Sequence, residues 1–343
     1  MHPTDEKDLY CGADLHGNNV MLCICDAQGV EVFKRRVKAN LVSVSGALEP
    51  YKERLRGIAV ESTFNWYWFV DGLREQGYVV RLANPAKMDQ YDGLKATDDE
   101  SDACWLAELL RLGILPECYV YPQETRSLRD VLRRRQLLVR QYTQSLLSLE
   151  SLLARYGKPC ASAGEIETWT GKDIRALELD EYAVLQVETL LEGFRKTKAL
   201  AKQIEKKALE RVKPTATHKR LQQVFGIGLA LGMTIALEAG EFSRFPSAGD
   251  YASYCRTVKS ERISNKKKKG RNNGKNGNRY LAWAYIEAAT FAVRYYPKIR
   301  AWYERKKQRR NVAVAKKALA CKLAKATWHV MNGKEFDEKM LFS

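Results

Sequence analysis

A chain of 343 residues has room for two or three domains with a sizeable core. Its 45% hydrophobic and 10% aromatic content excludes a disordered polymer. A formal net charge of +17 points to a polyanionic partner, and no run is long and apolar enough to span a bilayer. The charge is unevenly placed. Residues 1–110 hold 12 Lys and Arg against 18 Asp and Glu, so the cationic excess lies beyond them. The N-terminus, Met-His-Pro-Thr-Asp-Glu, is polar and acidic, unlike a signal peptide. Eight cysteines are scattered along the chain, several in apolar runs, which is the pattern of reduced, buried thiols in a cytosolic protein. Cys23 and Cys25 alternate on one strand and share a face. With four histidines and none at ligand spacing, a zinc site has little support.

The first third reads as α/β. Strands are expected at Leu9–Leu15, Val20–Cys25 and Val30–Val37, separated by the turn signals Gly17-Asn-Asn19 and Gln28-Gly29. A helix over Ser43–Arg54 leads to a short buried strand at Gly57–Val60. A helix over Phe64–Gln76 stops at Gly77, and a strand over Tyr78–Ala83 closes at Asn84-Pro85. A short helix, a polar acidic loop and a helix from about Asp99 to Leu112 complete the region. Hairpin strands followed by alternating helices and strands predict a ribonuclease-H-like mixed sheet flanked by helices.

From Thr125 the pattern becomes helical. Leu128, Leu132, Val139, Tyr142, Leu146, Leu149 and Leu153 form a narrow apolar seam, broken by Arg135 and stopped by Tyr156-Gly-Lys-Pro159. A second long helix, about Glu181 to Val212, carries Val187, Leu191, Phe194, Ala201, Ile204 and Ala208 on one face. Pattern alone leaves open a coiled-coil arm joining another subunit, an antiparallel hairpin and a plain intramolecular spacer.

A third region starts at Pro214. Leu221-Gln-Gln-Val-Phe-Gly226-Ile-Gly228 reads as a helix-hairpin-helix, whose Gly226 and Gly228 allow a tight turn with backbone amides open to phosphate. Residues 259–279 then hold nine basic side chains and one acid, including Lys266, Lys267, Lys268, Lys269, Arg271, Lys275 and Arg279. Its Gly and Asn content predicts a loop. A helix over Tyr280–Val293 follows, then a second basic cluster from Lys298 to Lys325 with Trp302 and Tyr303 inside it. Basic residues of this kind contact phosphate without reading sequence.

Four acids lie where such chemistry would need them. Asp14 lies on the first expected strand and Glu61 follows the short strand ending at Val60, and Asp99 and Asp102 share a helical face by their i, i+3 spacing. Carboxylates that converge are compatible when hard divalent cations lie between them, and such cations leave positions open for phosphate oxygens. Singly, each acid also fits a surface residue or a helix cap, Asp98 and Asp99 above all.

The ordered combination resembles the DEDD transposases of the IS-one-ten family, its IS-eleven-eleven subgroup in particular. The resemblance rests on Gly12-Ala-Asp14-Leu-His16, Val60-Glu61-Ser-Thr63, Asn84-Pro85 and Lys95-Ala-Thr-Asp-Asp99-Glu-Ser-Asp102. Downstream it rests on Gly226-Ile-Gly228, Tyr251-Ala-Ser-Tyr-Cys-Arg256, Ser260-Glu-Arg-Ile-Ser264, Lys275-Asn-Gly-Asn-Arg279 and Glu287-Ala-Ala289. It implies a RuvC-like catalytic domain over 1–122, a coiled-coil helical linker over 123–213 and a mainly helical transposase domain over 214–343. It also implies Asp14, Glu61, Asp99 and Asp102 as ligands of Mg²⁺ or Mn²⁺, and Ser264 as a nucleophile that forms a covalent serine–DNA intermediate. The implied partners are DNA at element ends and target, and a bridge RNA as guide. The implied assembly is a dimer or dimer of dimers, in the cytoplasm and at the nucleoid. Gly226, Gly228, Arg256, Lys266–Lys269, Arg271, Lys275 and Arg279 are the expected nucleic-acid contacts. The chain departs from the family's Ser-Ser-Gly-Gly run, with Ile263-Ser-Asn-Lys266 in its place, and Asp98 beside Asp99 leaves the third acid open between the two. A metal-dependent junction-resolving nuclease needs the four acids without Ser264. A non-enzymatic nucleic-acid-binding protein needs neither.

Overall fold

A computed structural model describes residues 8–88, 99–159, 161–211, 215–258, 261–264, 267–271 and 276–341, with the backbone alone described for 99, 100, 211, 261–264, 267–271 and 340. The chain divides into two units, Met1–Gln123 with Arg271–Asn276, and Glu124–Gly270 with Gly277–Ser343.

The first unit is built on strands β1 (Leu9–Leu15), β2 (Asn19–Asp26) and β3 (Glu31–Lys38), followed by α1 (Leu41–Leu48), β4 (Leu55–Glu61), α2 (Trp66–Glu75), β5 (Val80–Ala83), α3 (Pro85–Met88) and α4 (Asp99–Arg111). The sheet order is β3-β2-β1-β4-β5. The first three strands are antiparallel, and β4 and β5 run parallel to β1 and to each other. Odd-numbered residues of β1 (Leu9, Cys11, Ala13, Leu15) pack against Val44, Leu48, Phe69 and Leu73 of α1 and α2. On the other face, Tyr10, Met21, Cys23, Cys25 and Ala59 meet Ala103, Leu106, Ala107 and Leu109 of α4. The strand period of two thus splits the sheet into two buried faces. The outer strand β3 is mostly exposed and carries Lys34, Arg35, Arg36 and Lys38, charges that discourage pairing of its free edge with another chain.

The single helix expected over Ser43–Arg54 is divided in two. Helix α1 ends at Leu48, and Pro50 leads a separate 3-10 turn over Glu49–Arg54. Proline has no N–H for the helical ladder but is tolerated in a first turn, so it closes one element and opens the next.

In the second unit, α5 (Gln123–Arg155) and α8 (Glu181–Arg211) are the two long helices. They pack antiparallel within the chain. Arg135 Nη2 lies 2.6 Å from Glu205 Oε2, and Tyr142 and Phe194 meet edge to face. Two short helices, α6 (Ala163–Thr168) and α7 (Gly171–Arg175), lie between them in sequence, and their Ile166 and Ile174 join Leu149, Leu153, Val187 and Leu191. Helix α6 starts with a capping box: Glu165 N donates to Ser162 Oγ, and Ser162 N donates to Glu165 Oε2.

Helices α9 (Ala216–Leu221), α10 (Leu229–Ala239), α11 (Ala248–Tyr254), α12 (Arg279–Tyr295), α13 (Pro297–Arg309) and α14 (Val312–Met331) form the rest. Their core is alanine-rich on α12 and α14, where Ala284, Ala288, Ala289, Ala320 and Ala324 are fully buried. The segment read as a basic loop instead contains β6 (Glu261–Ser264) and β7 (Lys267–Arg271), paired as a two-stranded sheet. Composition alone misses this. Closely spaced like charges favour an extended chain, and an extended chain satisfies its backbone groups by pairing.

Candidate functional site

Strands β1 and β4 and helix α4 carry the acids. Strands β1 and β4 run parallel with Ala13 opposite Val60, so Asp14 and Glu61 are the next neighbours at their C-terminal ends. Both project toward α4. Gly12 and Ala59, each two residues earlier, already touch that helix, and strand alternation returns residues two apart to the same face. Helix α4 runs antiparallel to β1. Tyr10 packs on Ala107, and Met21, which pairs with Asp14, packs on Ala103. The first turn of α4, with Asp99 and Asp102, therefore lies over the strand ends that carry Asp14 and Glu61.

Gly12 makes that approach possible. A Cβ at this position would lie 1.9 Å from the Ala103 carbonyl oxygen and 2.6 Å from the Ala107 nitrogen, both helix backbone. Gly12→Ala must push α4 off the sheet. Such overpacking costs about 1–3 kcal/mol and sometimes more. The expected result is a lower urea midpoint together with a loss of DNA cleavage. An unchanged midpoint would contradict this packing.

Asp14 is mostly buried, with its side chain 14% exposed, and its Oδ2 lies 2.9 Å from Nε2 of the more exposed His16. The Asn65 amide donates to the His16 carbonyl at 2.9 Å, fastening the chain after Glu61 to the turn after Asp14. Asp102 Oδ1 is closed off from solvent. For Asp99 the backbone is described, as the first residue of α4, and Asp98 lies outside the described residues. Carboxylate oxygens suit a hard divalent cation, and the N-terminal end of a helix tolerates added negative charge. Lower on α4, Glu108 is bidentate to Arg111, which holds its carboxyl below the usual range.

One cysteine expectation is overturned beside this site. Cys23 and Cys25 do share the α4 face, but Cys23 is joined to Cys104 of α4 in a disulfide. Strand alternation aims Cys23 at the helix, and α4 presents Cys104 to it, so two residues 81 apart in sequence become covalent neighbours. Cys11, Cys25, Cys118, Cys255 and Cys321 are outside any disulfide, and Cys160 lies outside the described residues.

In the second unit, the expected nucleic-acid residues take different roles. Gly226 has φ 83°, and a Cβ there would lie 2.1 Å from the Ala288 carbonyl oxygen, so this glycine serves the packing of the turn on α12. Gly228 is exposed with open space around it at the N-terminal cap of α10. Arg256 has the left-handed φ of 55°. Burial, then the neighbouring charge of Arg279, holds its guanidinium below the ordinary value. Lys267, Lys268, Lys269 and Arg271 lie on β7, and Lys266 and Lys275 lie outside the described residues. Ser264 is the last residue of β6, a strand end rather than the loop expected. In the second basic cluster Tyr303 is a core side chain, whereas Trp302 is half-buried with Lys322 Nζ 5.8 Å from its ring.

A cluster that sequence reading missed organises this end of the unit. Glu238 on α10 is 1% exposed. Its Oε2 accepts from Arg129 Nε at 3.2 Å, Arg133 Nη2 at 2.8 Å and Asn278 Nδ2 at 2.7 Å. Burial pushes its carboxyl up, but the Arg133 hydrogen bond and the Arg129 charge outweigh that and hold it below the usual value. Asn278 in turn caps α12, its Oδ1 accepting from Tyr280 N and Leu281 N. Gly277, with φ 82°, fits there because a Cβ would lie 2.5 Å from the Tyr254 carbonyl oxygen. The sequence signal for this cluster is a lone acid in the apolar run Leu229–Ala239.

Known proteins match these features in the same order. Residues 11–158 match a family model described as the DEDD transposase of IS110, and residues 218–304 match one described as the transposase IS116/IS110/IS902 family. A "Probable family 20 transposase" of Pseudomonas aeruginosa is 26% identical over 285 residues, covering 80% of this chain and 83% of that one. The acid-bearing sheet falls in the first match and the Gly226–Arg279 region in the second, and on both grounds the chain belongs to the IS116/IS110/IS902 family of transposases.

Proposed function

We propose that this chain is an RNA-guided DNA transposase and recombinase, with a RuvC-like metal site and a serine nucleophile. The observation that carries the reading is the convergence of β1, β4 and the first turn of α4, which supports Asp14, Glu61, Asp99 and Asp102 as one acid site. These four would hold Mg²⁺ or Mn²⁺. Bound there, the cations supply charge neutralisation for a scissile phosphate and activation of its attacker. Asp99 is taken as the third acid, its i, i+3 spacing placing it on one helical face with Asp102.

Ser264 is the nucleophile. Its attack exchanges one phosphodiester for a serine–DNA phosphodiester and frees a DNA hydroxyl end. A hydroxyl from the partner strand reverses the exchange, so no external energy source is consumed. Arg256, Arg279 and the cations of residues 266–275 face the phosphates. The turn before α10 acts as a helix-hairpin-helix, and the α5–α8 hairpin is the linker between a catalytic domain over 1–122 and a transposase domain over 214–343. The assembly is a homo-oligomer acting in the cytoplasm at the nucleoid.

The guide is a structured RNA, because the cationic surplus beyond residue 110 exceeds what a short DNA contact neutralises. Full-length protein purified from cells should carry one abundant RNA, identified by sequencing. Nuclease-treated protein should lose sequence-specific recombination and regain it when that RNA is added back. RNA binding should weaken by about 10³-fold or more between 50 and 200 mM salt. Site-specific recombination by RNA-free protein would overturn the guide assignment.

A further inference from the structure

We propose that Cys23 and Cys104 form a redox-controlled latch that fixes α4 to the sheet. The bond joins the middle of β2 to the second turn of α4. Cys104 directly follows Ala103, whose carbonyl lies against Gly12, and follows Asp102 by two residues. Closing the latch therefore pins the turn of α4 at which helix and strand backbones come closest. Its consequence for DNA cleavage rests on the acid-site reading above; the latch itself does not.

The surroundings select these two thiols. Cys23 is 1% exposed, whereas Cys104 is half-buried, beside Glu31 of the exposed edge strand β3. Cys25 faces the same helix but packs on Ala107, whereas Cys23 packs beside Ala103 and Cys104, so position selects the pair. In a reducing compartment a disulfide of this kind is transient and needs an oxidant. Glutathione disulfide is sufficient. The Cys104 thiolate attacks one of its sulfurs and releases one glutathione thiolate. The Cys23 thiolate then attacks the mixed disulfide at Cys104 and releases the second. Two thiols lose two electrons and two protons, and one disulfide is reduced to two glutathione molecules. Glutathione reverses both steps.

The test uses the full-length protein, without metal or nucleic acid, equilibrated in reduced or oxidised glutathione. Two readouts follow: mass after thiol alkylation in denaturant, and amide hydrogen exchange of the Ala103–Leu110 segment. The oxidised protein should take up two alkyl groups fewer, with Cys23 and Cys104 the protected pair. Its exchange in that segment should slow by about tenfold or more relative to the reduced protein. Cys104→Ser should exchange at the reduced rate in both buffers, and Cys25→Ser should follow the wild type. The comparison of the two wild-type forms stands even where a variant fails to fold. Full alkylation after oxidation would overturn the proposal, as would a formed disulfide with unchanged exchange. Stoichiometric zinc uptake by the reduced protein that protects both thiols would also overturn it, because the pair with Glu31 would then be a metal site. Exchange reports no catalysis, so loss of the acid-site reading would leave these outcomes intact.

Discussion

Asp102→Asn should bind DNA and RNA like the wild type yet cleave DNA roughly 10²–10³-fold more slowly or worse, the order of loss when one oxyanion-hole donor is removed from an acyl-transfer site. The exchange keeps the size of the side chain and removes its charge. Helix α4 stays seated, because the contacts that seat it are Ala103, Leu106 and Ala107 against Gly12, Tyr10 and Met21. What is lost is one anionic oxygen in a site where Asp14 and Glu61 must be balanced by cationic charge. Asp14→Asn should behave alike. Glu108→Gln is the control, since it also removes a carboxylate from α4, but one already paired with Arg111 two turns from the acid cluster. Its cleavage rate should stay within a few-fold of wild type. Normal cleavage by Asp102→Asn and Asp14→Asn, with fold confirmed by an unchanged urea midpoint, would remove the acid site from the mechanism.

The parts of this site legible in the sequence are those set by local pattern. Asp14 and Glu61 end apolar strands, whose period of two and flanking turns place them without knowledge of the rest. Asp99 and Asp102 fall on one helical face for the same local reason. The closeness of α4 to β1 was not legible. It depends on Gly12 meeting Ala103 across some 90 residues, and nothing near Gly12 in sequence distinguishes it from a strand-weakening glycine. The disulfide was hidden for the same reason. Alternation shows that Cys23 and Cys25 share a face, but not that Cys104 lies opposite one of them.

Beyond residue 123 the two long helices were readable from their apolar seams, and the antiparallel pairing became definite only through contacts such as Arg135 with Glu205. The short helices between them were announced by Ser162-Ala-Gly-Glu165, a capping signal that a reading tuned to long seams passes over. The basic segment misled because Gly, Asn and Lys argue for a loop by composition, whereas pairing of β6 with β7 is a property of backbone register. Glu238 could have been suspected as a lone acid in an apolar helix. Its partners Arg129, Arg133 and Asn278 come from two other stretches of the chain, and so required the fold.

Ser264→Ala separates the two chemistries that the same four acids can serve. A nuclease that uses water as its nucleophile leaves no protein–DNA bond. A serine recombinase keeps the energy of the broken phosphodiester in a covalent link and can rejoin strands without another source. The substitution removes a single hydroxyl at the end of β6, while the backbone that pairs with β7 is retained, so stability should change by no more than about 0.5 kcal/mol. Strand exchange should nevertheless be abolished, and with it a DNA-linked protein band on a denaturing gel after reaction of the wild type. Asp102→Asn supplies the complementary arm: it should also lose the band, because activation of the attacker fails even though Ser264 is present. A Ser264→Ala protein that still cuts DNA but forms no covalent adduct would establish water as the attacking group and make the chain a junction-resolving nuclease. One that still exchanges strands would show that the energy of the cut bond is stored elsewhere than on this serine.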